Sequence, residues 1–494
     1  MGCLTEIGLS RKQRTFVALE TTCGTLKFPS ATVDYVIPAG DAVMNQNPTF
    51  VDSEEKKNTL DLTDRFQNAM PAGEWSIPMY LRIPDKSFAT PQGDALFRAW
   101  QGDLGSMATF TLSFNYATAD ALLHASGLDA DHYLPGVGVI LVESNAGASD
   151  SYIHYGVLYR AENSATCSFG DLSYDYAGSH TRATADQPNT ITPASRFYRL
   201  DVDSPSVSIW IETDHFVQGL AGASVNNVVL GVNNEGAVTL TFSGQGMEMV
   251  WAGEAALATL ATAAVGYITV PSGHGKRFSV GAYIYNQTTT PGTAASIGFE
   301  IGSITMGGGD GGGDLITFAT PLSGDNHNFA WEVPDGGWLG PGGGGSTIRG
   351  YLPLNPTTIG TPIESRLSDI ELDDVAAKLK GGDVTFSFPK KYIDDEVGLD
   401  YPEDFIEDRR SITSTLSVYF RKDNAKYFTD GYNGEECPVL FKFGDTEGSY
   451  LEVYMKRCAL EVPTVTFAAP AVELSIPLTA LGTYGEDSVD VVLT

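Results

Sequence analysis

One succession of short motifs occurs twice along the 494-residue chain, and it constrains the fold more than any single residue does. In the first occurrence "TTCGT" (21–25) leads into "SATVDYVIP", a long polar loop (39–74), a strand-like "WSIPMYLRI" (75–83) and a short helical "DALFRAWQG" (94–102). "SVSIWIE" and "AVTLTFS" follow much later. In the second occurrence "TTIGT" (357–361) precedes "RLSDIELDD", a polar loop (390–410), "TSTLSVYFR" (413–421) and "DNAKYFTDG" (423–431). "PVLFKFG" and "AVELSIPL" then close it. Five matches in one order predict an internal duplication.

The motifs themselves are mostly strands. Val207, Ile209 and Ile211 alternate with Ser206, Ser208 and Trp210, and Val238, Leu240 and Phe242 alternate with Thr239 and Thr241. This period of two predicts half-buried antiparallel strands, with "NNEG" (233–236) as a hairpin turn between them. Val472, Leu474 and Ile476 are the counterparts of Val238, Leu240 and Phe242. Each short helix has an Asp N-cap candidate, Asp94 or Asp423, and a Gly stop eight residues on, Gly102 or Gly431. The expected fold class is therefore mainly β: two tandem β-sandwich domains, each with a short helix and long hairpins. Residues 1–254 form copy 1, with a core at about 15–103 and 205–250 and an insertion at about 104–204. Residues 255–349 form an intervening Gly-rich β region, and 350–494 form copy 2.

Composition excludes several functions. The 54 Gly and 25 Pro suit sheets joined by turns, and 30 basic against 61 acidic residues leave a net charge of −31. Such a surface repels nucleic acid and anionic membranes alike. The start "MGCLTEIGLSRKQRTF" has no secretory apolar core, and Glu6 stands where myristoylation needs Ser or Thr, so synthesis and folding in a cytoplasm are expected. No run reaches the ~18 apolar residues of a membrane helix. Cys3, Cys23, Cys167, Cys437 and Cys458 are scattered and read as reduced thiols, a Cys437–Cys458 contact being the one pairing left open.

No catalytic, cofactor or metal site emerges. "GPGGGGST" (340–347) lacks the Lys that a phosphate-binding loop places before Ser346, and "GGGDGGGD" (307–314) is a single copy of a calcium-repeat pattern, so both tracts read as flexible loop or linker. His124, His132, His154, His180, His215, His274 and His327 have no zinc-type spacing, even beside the carboxylates of "DADH" (129–132). Ser224 lacks the second Gly of a nucleophile elbow. Asp373–Asp374 and Asp394–Asp395 are ordinary neighbours in so acidic a chain.

The segments "ETTCGT", "FPSATVDYVIP", "EWSIPMYLRIP", "GDALFRAW" and "SVSIWIETDHFVQGLAGASVNNVVLGVNNEGAVTLTFSGQG" resemble the tail tube proteins of long-tailed bacteriophages. The copy 1 core carries the resemblance, whereas copy 2 has "MKRCALE" in place of the "GAxVN" strand. The resemblance implies a virion structural protein without enzymatic activity or cofactor. Hairpins of neighbouring subunits would close a wide barrel, six domains to a ring, so a duplicated chain would need three copies. Implied partners are further copies stacked head to tail, a tape measure protein, terminator or tip proteins, and DNA passing through the lumen without specific binding. The loops 39–74 and 390–410 are expected to order on stacking, and the lumen to be net acidic. A carbohydrate-binding or glycosidase sandwich, with 6 Trp and 22 Tyr as sugar platforms, and an extracellular adhesin are the competing classes.

Overall fold

Alternating apolar and polar residues form antiparallel ladders throughout the computed structural model. It describes residues 13–27, 29, 34–55, 64–82, 92–102, 204–213, 216–233, 236–251, 255–256, 266–278, 280–281, 283–286, 299–319, 338–340, 360–373, 375–394, 396–446, 449–468, 471–482 and 488–493. It also describes the strands between residues 110 and 199 as backbone. The protein is mainly β, and among the described residues the α-helices are Asp94–Gln101 and Lys426–Asn433.

Two sets of ladders share one connectivity. In the first, Tyr35–Val36, Arg14–Leu19, Val207–Thr213, the start of Phe216–Asn233, and Glu248–Trp251 pair in that order. The end of Phe216–Asn233 then pairs with Thr239–Gly246, which pairs with Gly73–Tyr80, which pairs with Val43–Asn45. In the second set Val375–Ala376, Ser368–Leu372, Glu436–Thr446, Ser449–Leu460 and Asp490–Leu493 follow the same order. The end of Ser449–Leu460 pairs with Ala471–Ala480, then Ser411–Tyr419, then Leu379–Ser387. Even the register shift between Val207 and Ile209 has a counterpart between Cys437 and Val439.

Three details differ from the sequence reading. The strand Ser368–Leu372 takes the ladder place of Arg14–Leu19, not of Tyr35–Val36, so the "TTCGT"/"TTIGT" match is out of step by one strand. Asp94 is the first helical residue behind a left-handed Gly93 cap, and no side chain caps the helix. Residues Lys422–Ala425 form a 3-10 turn, and the second helix runs through Gly431 to a left-handed Gly434 cap. A Cβ on Gly431 would lie 2.6 Å from the Glu461 carbonyl oxygen, so this glycine serves a close approach instead of a stop.

One core underlies both sets. Its largest fully buried side chains are Trp100, Phe97, Phe242, Phe386, Phe441 and Phe443, while Trp210 and Phe16 are buried outside it. Burying such side chains stabilises by about 1.5–3 kcal/mol each, which makes this core the main term holding the sheets together. Residues 207–212 of the strand Val207–Thr213 are buried on both faces, Ser208 and Trp210 included, because the 20–27 segment covers the second face. Trp210 Nε1 donates to the Lys27 carbonyl oxygen (2.7 Å), and the Lys27 amide donates to Ser208 Oγ (2.8 Å).

The insertion has its own ladder system. Phe110–Asn115, Leu123–Ser126, Gly138–Ser144, Ser151–Asn163, Thr166–Tyr174 and Pro188–Pro193 pair in a closed cycle, separate from the two sets. Between the sets, six strands from Ala255–Ala256 to Trp338–Gly340 form another sheet. Of the two readings of the tract at 307–314, loop and linker, the structure has the loop: residues 307–313 are a tight turn between two paired strands of that sheet. Asp314 accepts hydrogen bonds there from the amides of Gly275 (2.7 Å) and Gly307 (2.9 Å).

Candidate assembly interface

The two ladder sets meet edge to edge in one internal joint. Asn227–Asn233 pairs antiparallel with Ser387–Gly381, placing Val228 opposite Phe386 and Leu230 opposite Val384. The joint makes one strip of eight strands: 43–45, 73–80, 239–246, 216–233, 379–387, 411–419, 471–480 and 464–468.

The first helix seals the joint from the core side. Trp100 sits edge-on against Phe242 of the first set (6.0 Å between centroids) and Phe386 of the second (4.6 Å). Phe97 supports it from the preceding turn. Counted back from the glycine caps Gly102 and Gly434, the counterpart of Trp100 in the second helix is Tyr432, which is 84% exposed.

A hairpin clasps the joint on another side. Lys390–Tyr392 pairs with Phe405–Glu407, and Tyr392 is buried in the first set. Its hydroxyl donates toward the carbonyl oxygens of Gly222 (2.8 Å) and Gln245 (2.9 Å) and lies 2.8 Å from Ser224 Oγ. Burial pushes this phenol well above its usual pKa, so it stays a neutral donor. Burial likewise lowers the Lys390 pKa, opposed by Glu407 at 3.2 Å. Further out, the Met70 amide donates to the Asp400 carbonyl oxygen (2.9 Å), and Lys276 lies over the Tyr401 ring (4.9 Å).

The site that receives Tyr392 is built by the motifs singled out in the sequence. Gly222 has φ +61°, and a Cβ on Gly244 would lie 1.9 Å from the Ser224 carbonyl oxygen, so small residues make this bulge possible. Glu20 of "ETTCGT" fastens the bulge. Its carboxylate accepts from the amides of Gly222 (2.8 Å) and Gly24 (2.9 Å) and from Ser206 and Ser208 (2.7 Å each). Burial raises the Glu20 pKa against these hydrogen bonds.

The strip's two ends are unlike its middle. Among the described residues neither Val43–Asn45 nor Thr464–Ala468 has a second partner strand. Val43, Val465 and Phe467 are exposed, Phe467 to 84%. At the first end the Gln13 side-chain amide holds the backbone of Ala42. Exposed sheet edges of this kind are templates for strand addition.

The residues weighed for chemistry are dispersed. Ser224 is buried and donates to Asn226 Oδ1 (2.9 Å). Asp373 pairs with Lys426 (3.1 Å). His274 lies in a 3-10 turn, its pKa lowered first by burial and then by Arg277, while His124 and His154 lie on the insertion's strands. His132, His180, His215, His327, Asp374, Asp395 and residues 341–347 lie outside the described residues. Among the described residues no group of His, Cys, Asp and Glu has the geometry of a metal site. No described helix is long and apolar enough to cross a membrane. Cys437 and Cys458 stand opposite each other in the ladder as free buried thiols. Burial raises their pKa values to about 11 and about 12.

The sequence reading missed Trp100 and Tyr392 as interface residues. The pairing partners of an aromatic residue are set by the joint between sets, which no local pattern encodes. The loop 390–410, expected to lack structure until it meets another ring, is a hairpin already seated on its own chain. No family model matches the chain, and no curated protein is significantly similar to it.

Proposed function

We propose that the chain is a structural subunit that assembles into rings, and that stacked rings form the tail tube of a long-tailed bacteriophage. The observation carrying this reading is the internal joint, flanked at the strip's outer ends by the same kinds of edge, which have no second partner strand among the described residues. Each chain offers a first-set edge, 43–45, and a second-set edge, 464–468. Joining these head to tail repeats within a ring what the chain already does internally, and three chains bring six ladder sets. Closure removes every exposed edge, which an isolated chain cannot do.

The face of the strip turned away from the core suits a passive conduit. Ser76, Ser243, Asn227, Ser387 and Ser411 line up across neighbouring ladders, as do Pro78, Thr241, Val229, Thr385, Thr413 and Thr479. Glu74, Asp383 and Glu473 share this face with Lys380, which pairs with Glu473. We assign this face to the lumen. It is mildly acidic and mostly hydroxyl-bearing, so it offers duplex DNA almost no cation to hold a phosphate.

The sugar-binding alternative gains no platform from Trp75, Trp100 and Trp210, all of which are buried. Negative-stain microscopy of the purified chain tests the proposal. Rings or tubes are the expected result; particles of single chains at all concentrations would reject it.

A further inference from the structure

The clasp at the internal joint has an unused twin. Phe50–Asp52 pairs with Arg65–Gln67, and Lys390–Tyr392 with Phe405–Glu407. Phe50 faces Gln67 as Lys390 faces Glu407, so both arms are offset by about 340 positions and the two hairpins have equal length. The flanking bonds recur as well. Ser53 donates to the Asp64 carbonyl oxygen as Ile393 does to that of Asp404, and Asn68 to that of Thr49 as Asp408 does to that of Pro389. The cation over a ring also recurs: Arg65 lies 4.6 Å from Phe50, and Lys390 lies 4.9 Å from Phe405.

The two hairpins differ in surroundings. Lys390 and Tyr392 are buried against the first ladder set, whereas their counterparts Phe50 and Asp52 are exposed; Val51 and Phe66 are exposed just as their counterparts Lys391 and Ile406 are. A short hairpin is marginal by itself, and one whose Phe50 stands exposed where its twin is buried gains from a surface to cover that residue.

We infer that the hairpin Phe50–Gln67 clasps the second ladder set of a neighbouring copy of this chain, as 390–407 clasps the first set within the chain. The ladder registers give the landing place. Val207 opposite Ala223 corresponds to Cys437 opposite Cys458, and Ser224 opposite Gln245 to Ala459 opposite Thr479. Arg457 therefore stands where Gly222 stands, Ala459 where Ser224 stands, and Thr479 where Gln245 stands. On the hairpin, Asp52 stands where Tyr392 stands.

The exchanged residues complement each other in charge and length. Within the chain a long Tyr392 reaches a side-chain-free Gly222; between chains a short Asp52 meets a long Arg457. Arg457 is half-exposed and already binds Glu436 through two nitrogens at 2.8 Å. Its guanidinium has five donors, so a second carboxylate extends the ion pair into a network. The same hairpin is not assigned to stacking, because its twin makes a lateral contact between adjacent sets.

The inference rests on the ring reading, and cross-linking separates the two. The test uses Asp52→Cys with Arg457→Cys in a background carrying Cys3→Ser, Cys23→Ser and Cys167→Ser. A short bismaleimide replaces a direct disulfide, since a Tyr-length reach keeps the backbones beyond disulfide distance. Both positions are exposed enough to tolerate the change, and far-UV circular dichroism checks folding. On ring fractions verified by microscopy, denaturing gels should show two- and three-chain species that stop at three, absent from either variant with one of the two new cysteines, in which the buried Cys437 and Cys458 remain. Rings whose chains stay uncross-linked overturn the clasp alone, as does a ladder extending past three chains, which would place the contact between rings. Absence of rings from the wild-type chain would sink the ring reading and the clasp with it.

Discussion

Replacing Trp100 by Ala should open the internal joint more than any other single change in the first helix. The side chain is fully buried and touches aromatic rings from both ladder sets. An aromatic of this kind buries about 150–250 Å², worth ~4–6 kcal/mol at ~25 cal/mol per Å². Measured aromatic-to-alanine losses in cores cluster at about 3–5 kcal/mol, the cavity included. About 4 kcal/mol is therefore expected. Urea unfolding followed by far-UV circular dichroism, on chain kept below assembling concentration, reads the loss. Hydrogen exchange should show it spreading to 227–233 and 381–387, the strands that form the joint. A loss under about 1 kcal/mol, or one confined to the helix, would refute the role of Trp100 as the wedge.

Three further outcomes follow from individual side chains. Tyr432→Ala should change the stability of the isolated chain by less than about 0.5 kcal/mol, because the side chain is exposed, yet reduce ring yield in the same microscopy assay if the second helix seals the next joint. Glu452 is buried, and burial raises its pKa to about 7, so the folded state holds a proton that the unfolded state releases near its ordinary value. That contribution to stability is full below about pH 4 and is lost as pH rises toward 7. Glu452→Gln should therefore leave stability unchanged at pH 4 and raise it by about 2–3 kcal/mol at pH 8, read from urea midpoints at the two pH values. Cys437 and Cys458 should resist iodoacetamide in the native chain at pH 8 and react only on unfolding, whereas Cys23, which is exposed, reacts first; mass spectrometry of peptides distinguishes the three.

The strands were legible because period-two alternation is local. Val238, Leu240 and Phe242 are buried as their spacing requires, and Leu474 and Ile476 behave likewise. The helix ends were less legible. Gly431 looked like a stop because glycine usually terminates helices, but here the Glu461 backbone passes too close for a side chain. The strand around Trp210 looked half-buried because nothing in its own pattern announces that residues 20–27 fold back over it. The interface residues lay further from view. Tyr392 sits in an acidic loop whose partners, Gly222 and Gln245, are far away in sequence, and the only local sign of the receiving bulge was a run of small residues. The clasp and the edge pairing needed registers, which sequence spacing alone leaves open.

Native mass spectrometry of the full-length chain, combined with image averages made without imposed symmetry, tests the central claim most directly. The account predicts a closed species of three 52.7-kDa chains whose image shows six near-equivalent lobes. A closed ring of six full-length chains, or a chain that stays single at concentrations where its edges should pair, would contradict it.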